Sequence, residues 1–315
     1  MTELTFNECA RWLEDRDHFV ILTHRKPDGD TIGSSAALCL ALRAMGKTAY
    51  LLENPEVTQL FAPLVEGLTK AAPQEGDVLI AVDVAADNML PKAFECYKNN
   101  IDLRIDHHGS GREYSPAELV DSSMAACAEI IWELLADLDV EMDAAIAEAI
   151  YVGTATDTGC FRFANTTAHT FDVAGDCAAV GADIYNWNQK LFDTKSLPKL
   201  RLQGWIIDHV QFLEDGKLAI CCLPRSVEEE IGVSEDDMND ISSFLRSIEG
   251  VRMSALLRET EEGRVKISVR AIPGSNAAAV CETFGGGGHA GAAGCNLRMT
   301  MEQAAQAIGK VMLEY

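Results

Sequence analysis

The apolar positions change period along the chain, and the changes mark out its elements. In the first half, four short apolar runs, "FVILTH" at 19–24, "TAYLLE" at 48–53, "VLIAVD" at 78–83 and "LRIDHH" at 103–108, alternate with helical stretches such as 31–45. That alternation predicts an α/β fold, a parallel sheet with helices on both faces. An edge strand, "AELVD" at 117–121, follows, and then helical pattern near 123–138, 142–155 and 166–181. The N-terminal "MTELTFNECARWLEDRDHF" carries acids and bases throughout and predicts an amphipathic helix rather than a signal peptide.

The pattern changes character after residue 185. "YNWNQKLFDTKSLPKLRLQGW" at 185–205 is polar and contains Pro198, which predicts a helix that then crosses to a second domain. In "HVQFLEDGKLAICCLP" (209–224) and "RMSALLRETEEGRVKISVRAI" (252–272), a glycine with acidic residues divides two apolar segments, so each reads as a hairpin. Helical pattern lies near 234–248, 275–284 and 300–314. The expectation is a parallel-sheet domain over 1–185, a linker or helix over 186–207 and a smaller α+β domain over 208–315. No internal repeat or low-complexity tract interrupts this plan.

Composition narrows the partners. A chain of 315 residues, 48% hydrophobic, can bury a sizeable core in two domains. Its formal net charge of −23, with no basic block, repels phosphate backbones and argues against long nucleic acids. A small anionic substrate would need local counter-charge, which bound cations supply. The acidic runs at 228–230 and 235–237 read as solvated surface. Ten cysteines, scattered through apolar stretches with no C-x-x-C, read as reduced core residues. With no apolar run long enough to span a bilayer, a cytoplasmic protein without membrane partners is expected; a homodimer is left open.

The chemistry gathers at strand ends. "THRKPDGDTIGSS" puts His24, Asp28 and Asp30 after the first strand, with Gly29 permitting a tight bend between the two aspartates. Taken alone, Asp30 or Thr31 could simply cap the following helix. Asp83 ends the third strand, and Asp106, His107 and His108 end the fourth. In a parallel sheet those ends share one edge. Asp157, in "GTATDTGCFRF" at a helix end, is a further contributor. So many carboxylates repel one another unless cations intervene, and two divalent metals would neutralise them and hold a bridging water. Oxygen-rich ligands with a few imidazoles suit Mn²⁺ or Mg²⁺ better than structural Zn²⁺. The chemistry implied is hydrolysis of phosphoesters or phosphoanhydrides.

The motifs "HRKPDGD" (24–30), "VDVA" (82–85), "DHH" (106–108) and "TDTG" (156–159) stand in this order, and with them the sequence resembles the DHH phosphoesterase superfamily over nearly its whole length. The resemblance implies one metal held by His24, Asp28 and Asp83, and another by Asp30, Asp83, His107 and Asp157. It implies that His108 contacts the scissile phosphate and protonates the leaving group, and that Asp106 orients the neighbouring histidines.

"GGGGHAGAAG" at 285–294 has the composition of a flexible turn, yet no Gly-Lys-Ser/Thr follows, so it is not a P-loop. Consecutive glycines let backbone N–H groups approach an anion. The stretch resembles the glycine-rich motif of the DHHA1 domain, which implies substrate contacts from Gly286, Gly287, Gly288, His289 and Arg270, across an active-site cleft between the domains. Arg270 has the planar fork that suits a phosphate, with a solvated strand arginine as the lesser alternative. Arg162, close after Asp157, is a weaker phosphate candidate.

The two-domain plan resembles the stand-alone members that degrade oligoribonucleotides a few nucleotides long and dephosphorylate 3′-phosphoadenosine 5′-phosphate (pAp), with Mn²⁺ as cofactor. The expected partners are short RNA oligonucleotides and small nucleotides. A cyclic-dinucleotide or linear-dinucleotide phosphodiesterase is the alternative within the class, and a catalytically silent nucleotide sensor the alternative outside it.

Overall fold

Leu79 to Val82 alternate between two separate cores, and the same alternation runs through Phe19–Leu22. A strand whose successive side chains are all buried belongs in the middle of a sheet covered on both faces. In the computed structural model, which describes residues 2–109, 113–234, 236–238, 240–260 and 263–315, that sheet forms the centre of the first of two units, Met1–Thr194 and Lys195–Tyr315. Glu235 of the second acidic run and residues 261–262 of the second predicted hairpin lie outside the described residues.

The first unit begins with β1 (Thr2–Glu3) and α1 (Phe6–Glu14), whose entry is fixed by a capping box between Thr5 and Glu8. There follow β2 (Phe19–Leu22), α2 (Gly29–Ala44), β3 (Ala49–Leu52), α3 (Ala62–Val65), β4 (Thr69–Lys70), β5 (Val78–Val82), β6 (Leu103–Asp106) and β7 (Ala117–Val120). Helices α4 (Cys127–Asp137), α5 (Ala144–Asp157), α6 (Ala168–Val180) and α7 (Ile184–Asn188) follow, and a π-helical turn, Gln189–Asp193, continues from α7. The sheet order is β1-β7-β6-β5-β2-β3-β4, and every neighbouring pair is parallel.

The strand order reverses between β2 and β5, because the chain moves from β2 outward to β3 and β4 and then returns to build the other half. A crevice opens at such a point beyond the carboxyl ends of the strands. The larger core lies between the sheet and α1, α2, α4, α5 and α6. The opposite face is covered by two 3₁₀ turns, Asp87–Met89 and Lys92–Tyr97, because Pro91 interrupts the β5–β6 connection.

In the second unit, α8 (Leu197–His209) starts at Ser196 with Pro198 in its first turn. The residues from 185 onward are therefore more helical than their polarity suggests, because proline is compatible with a helix's first turn. The unit continues with β8 (Gln211–Leu213), β9 (Leu218–Leu223), α9 (Arg225–Ile231), α10 (Ile241–Arg246), β10 (Met253–Glu259), β11 (Val265–Ala271), α11 (Ala277–Glu282), β12 (Gly287–His289), β13 (Ala292–Leu297) and α12 (Met301–Met312). Its sheet order is β12-β13-β11-β10-β9-β8, antiparallel except for the β9–β10 pair. The glycine stretch is a β-hairpin, not the bare turn its composition allows. Each of the ten cysteines is free, and no described helix is long and apolar enough to cross a membrane.

Candidate metal centre

The carboxyl ends of β2, β5 and β6 deliver the side chains that the sequence singles out. His24 follows β2, Asp83 follows β5 and His107 follows β6, while α2 brings Asp28 and Asp30 and the last residue of α5 is Asp157. Three overlapping groups result, each with ligand atoms within 4.8 Å of one another: His24, Asp28 and Asp83; Asp30, His107 and Asp157; and Asp83, His107 and His108.

Asp83 joins the groups. It has φ +58°, a left-handed conformation that costs an aspartate energy and is kept only where the surroundings impose it. Its Oδ2 lies 3.6 Å from His24 Nε2, and its Oδ1 lies 3.6 Å from His107 Nε2. His107 Nε2 is also 3.7 Å from Asp30 Oδ2 and 3.4 Å from Asp157 Oδ2. His24 Nε2 stands 3.6 Å from Asp28 Oδ1.

Backbone groups aim both imidazoles. His24 Nδ1 pairs with the Arg25 carbonyl at 2.8 Å and His107 Nδ1 with the Met124 carbonyl at 3.2 Å. A carbonyl only accepts, so each Nδ1 is the donor and each Nε2 faces the carboxylates. Asp28 is the N-cap of α2, its Oδ1 accepting from the N–H groups of Asp30 (3.1 Å) and Thr31 (3.2 Å). The capping expected of Asp30 or Thr31 therefore falls to Asp28.

Asp30 is held by a contact that its local sequence does not announce. Its Oδ2 accepts from Cys127 N at 2.6 Å and its Oδ1 from Ala128 N at 2.9 Å, at the N-terminus of α4, where unpaired N–H groups favour a negative charge. Helices α2 and α5 approach closely enough for this because both carry glycine at the crossing. A Cβ on Gly33 would lie 2.3 Å from the Ala149 carbonyl oxygen, and one on Gly153 only 2.8 Å from Asp30 Oδ1.

The electrostatics are those of crowded acids. Burial, with Asp83 and Asp157 adding to it, pushes Asp30 well above the usual carboxylate range, and burial likewise raises Asp83. Burial also lifts Asp157, to about 6, against the opposing pull of His107. At His24 burial disfavours charge, but Asp28 and Asp83 outweigh it and push the pKa up to about 10.

Two buried atoms, Asp83 Oδ1 and His107 Nε2, have no hydrogen-bond partner among the described residues. Such atoms are costly unless something satisfies them. Donor separations of 3.4–3.7 Å are too long for hydrogen bonds, but they approximate the spacing of donors arranged about roughly 2.1 Å from a shared ion. The donor set is mainly carboxylate oxygen with imidazole, which suits Mn²⁺ or Mg²⁺. The residues therefore fit divalent cations.

Asp106 serves His108 rather than both histidines. Its Oδ1 accepts from His108 Nδ1 at 2.8 Å and from His108 N at 3.2 Å, so the other ring nitrogen, Nε2, is left to meet a ligand. Its Oδ2 is bound by the buried Arg104, which also reaches Glu118 Oε2 at 3.5 Å. His108 and Arg104 together hold Asp106 below its ordinary pKa in spite of burial. Arg104 is not among the residues that the motifs single out, although its position two residues before Asp106 on a strand puts both side chains on one face.

In the second unit, Arg270 and His289 both pair in register with Ala292, one from β11 and the other from β12. Paired positions share a sheet face, so the two side chains stand two strands apart on one row. Gly286 and Gly288 are required by close approach, since a Cβ would fall 2.3 Å from the Gly294 carbonyl oxygen and 2.5 Å from that of Ala292 respectively. Gly287 pairs with Gly294. Arg162, in the first unit, donates from Nε to the Gly159 carbonyl at 2.6 Å.

A parallel α/β unit with a carboxylate–imidazole centre at its switch point, followed by a separate glycine-hairpin unit, defines a phosphoesterase of the hydrolase class. Residues 18–154 match the DHH family, N-terminal domain, and residues 215–314 match the DHHA1 domain, so the chain belongs to the DHH family. Among its relatives is the bifunctional oligoribonuclease and PAP phosphatase NrnA of Thermus thermophilus, 35% identical over 297 residues, with 93% of this chain and 89% of that protein covered. The fold is shared with an exopolyphosphatase-related protein from Bacteroides fragilis (TM-score 0.88, 23% identity, 98% and 96% of the two chains). It is shared more distantly with RecJ of Thermus thermophilus in complex with Mn²⁺ (TM-score 0.56, 16% identity, 98% and 54% of the two chains).

Proposed function

We propose that the protein hydrolyses terminal phosphodiester bonds of short oligoribonucleotides and a phosphomonoester bond of pAp, with two divalent cations, Mn²⁺ by preference. The observation that carries this reading is Asp83, whose two oxygens face two different imidazoles from a strained backbone position. His24, Asp28 and Asp83 would hold one cation, and Asp30, Asp83, His107 and Asp157 the other. When bound, such a pair supplies an activated water and charge neutralisation for displacement at phosphorus.

The chain's own residues do the remaining work. Asp106 fixes the ring of His108 through Nδ1 so that Nε2 meets the scissile phosphate and donates a proton to the leaving oxygen. Arg104 keeps Asp106 ionised and immobile, which holds that ring in one tautomer. From the second unit, Arg270, His289 and the glycine hairpin bind the nucleotide, Arg270 by its fork and the hairpin by its N–H groups. The relative's printed activities and the net charge of −23 both favour a small substrate over a long polymer. Ten free cysteines suit the reducing cytoplasm, where we place the activity.

The test is a substrate panel, with Mn²⁺ and then with EDTA: pAp, 5′-end-labelled RNA from two to twenty nucleotides, cyclic di-AMP and pyrophosphate. Mn²⁺-dependent loss of pAp and of the shortest RNAs, fading with length, is the expected result. Preference for the cyclic dinucleotide would reassign the substrate, and no turnover of any compound would refute the hydrolase.

A further inference from the structure

The turn that follows Asp157 is built with more strain than a simple connection needs. Gly159, Cys160 and Phe161 are all left-handed, with φ of +55°, +57° and +62°. Two consecutive non-glycine residues in that region are expensive and persist only where surrounding contacts enforce them. Those contacts are present. Cys160 N donates to the Ala155 carbonyl at 2.7 Å, and Arg162 N and Phe163 N both donate to the Thr158 carbonyl at 3.0 Å. Asn165 Nδ2 reaches the Ala125 carbonyl at 3.0 Å and the carbonyl of Asp157 itself at 3.1 Å. The turn is thus tied directly to a residue of the metal centre.

This turn presents an aromatic ring to solvent. Phe161 turns inward and stacks on Phe171, with ring centroids 5.4 Å apart. Phe163 is 54% exposed and has no ring partner among the described residues. It is nevertheless held in place, for a Cβ on Gly159 would lie 2.4–2.7 Å from three of its ring carbons, so the ring rests directly on the glycine backbone. One edge of the phenyl is seated and much of the remainder is open. An exposed apolar ring gains little from folding, whereas a ring fixed on the turn that leaves Asp157 offers a nucleobase a stacking surface that needs no reorganisation.

We infer that Phe163 stacks on a nucleobase of the substrate and is the residue that makes the centre prefer nucleotides to base-free phosphate esters. The inference rests on the proposed hydrolysis of short oligoribonucleotides and names the part of the substrate that the first unit recognises. Stacking is tolerant of sequence, because every base has a π face, so the preference extends over all four bases and is greater for purines.

The experiment compares the Mn²⁺-supplemented full chain with Phe163→Ala, Phe163→Leu and Phe163→Tyr. The substrates are 5′-phosphorylated diadenylate and the same dinucleotide lacking both bases. Phe163→Ala should raise KM for diadenylate by roughly 5- to 150-fold, leave kcat unchanged and leave the base-free substrate unaffected. Phe163→Tyr should restore the wild-type KM. Phe163→Leu keeps apolar bulk without the ring and should retain the wild-type Tm while behaving kinetically like the alanine variant. An equal effect on both substrates, or none on either, overturns the assignment.

Binding of a 2-aminopurine dinucleotide separates this inference from the hydrolytic reading. If the wild type cleaves neither substrate, hydrolysis fails. Quenching of the 2-aminopurine fluorescence that disappears in Phe163→Ala still supports stacking, and quenching that survives the substitution overturns it.

Discussion

Gly153→Ala sets two effects of known size against each other. Gly153 lies inside α5, where alanine is the better helix former by about 1 kcal/mol, so propensity alone makes the variant more stable. The structure opposes this, because the new Cβ would stand 2.6 Å from Ala128 Cβ and 2.8 Å from Asp30 Oδ1. The first distance is about 1 Å short of ordinary carbon–carbon contact. Neither neighbour can swing aside, since Ala128 Cβ is attached directly to the backbone of α4 and Asp30 is pinned by two α4 N–H groups. Overpacking of this kind costs about 1–3 kcal/mol, which exceeds the propensity gain.

The expected result is a net loss of about 1 kcal/mol, or a Tm lower by about 2–4 °C for a unit of this size. The larger effect falls on the metal, because displacing a ligand from its supporting hydrogen bonds costs about 10- to 100-fold in affinity. Thermal unfolding in EDTA reads the first quantity and calorimetric titration with Mn²⁺ the second. A variant with a raised Tm and unchanged Mn²⁺ affinity would refute both the packing argument and the place given to Asp30.

Two further outcomes follow from the electrostatics. Arg104→Met leaves Asp106 buried without its guanidinium partner and should cost about 3–5 kcal/mol at pH 7 by chemical denaturation. Because the folded-state pKa of Asp106 is depressed, its contribution is present above the unfolded value near about 3.9 and lost as pH falls through the folded value. The deficit should therefore close in acid, and a deficit independent of pH would contradict the ionic account. Metal uptake should depend on pH with the opposite ligand protonations: His24 keeps its proton up to about 10 and must release it on coordination, and Asp157 adds a second release below about 6. Mn²⁺ affinity should rise at least about tenfold per pH unit between 6 and 8, since Asp30, held well above the usual carboxylate range, adds to the release, and more steeply below 6. A flat profile by calorimetry would show that His24 is not a ligand.

Much of the first unit was legible because its signals are local. Uninterrupted apolar runs mark the central strands, and each ends in a residue that packing does not call for, such as Asp83 or His107. A parallel sheet then brings those ends to one edge without further information. The links that build the centre from distant parts were not legible. Asp30 meets Cys127 and Ala128 nearly a hundred positions later, and nothing at 127–128 advertises two N–H groups aimed at a carboxylate.

The role of Gly153 appears only once α2 and α5 are seen to cross. Arg104 could have been read from strand alternation, and its place inside an apolar run was the signal. The glycine hairpin was hidden for another reason: consecutive glycines have poor strand propensity, and here the chain can approach β13 so closely only because Gly286 and Gly288 carry no side chain to collide with that strand's carbonyls.

If Asp83 is shared by two cations, the stoichiometry of metal binding must show it. Purified chain, stripped with EDTA and titrated with Mn²⁺ by calorimetry with elemental analysis of the product, should bind two ions. Asp28→Ala and Asp157→Ala should each lose one, whereas Asp83→Ala should lose both. A wild type that binds a single ion, or an Asp83→Ala variant that still binds one at wild-type affinity, would contradict the shared centre.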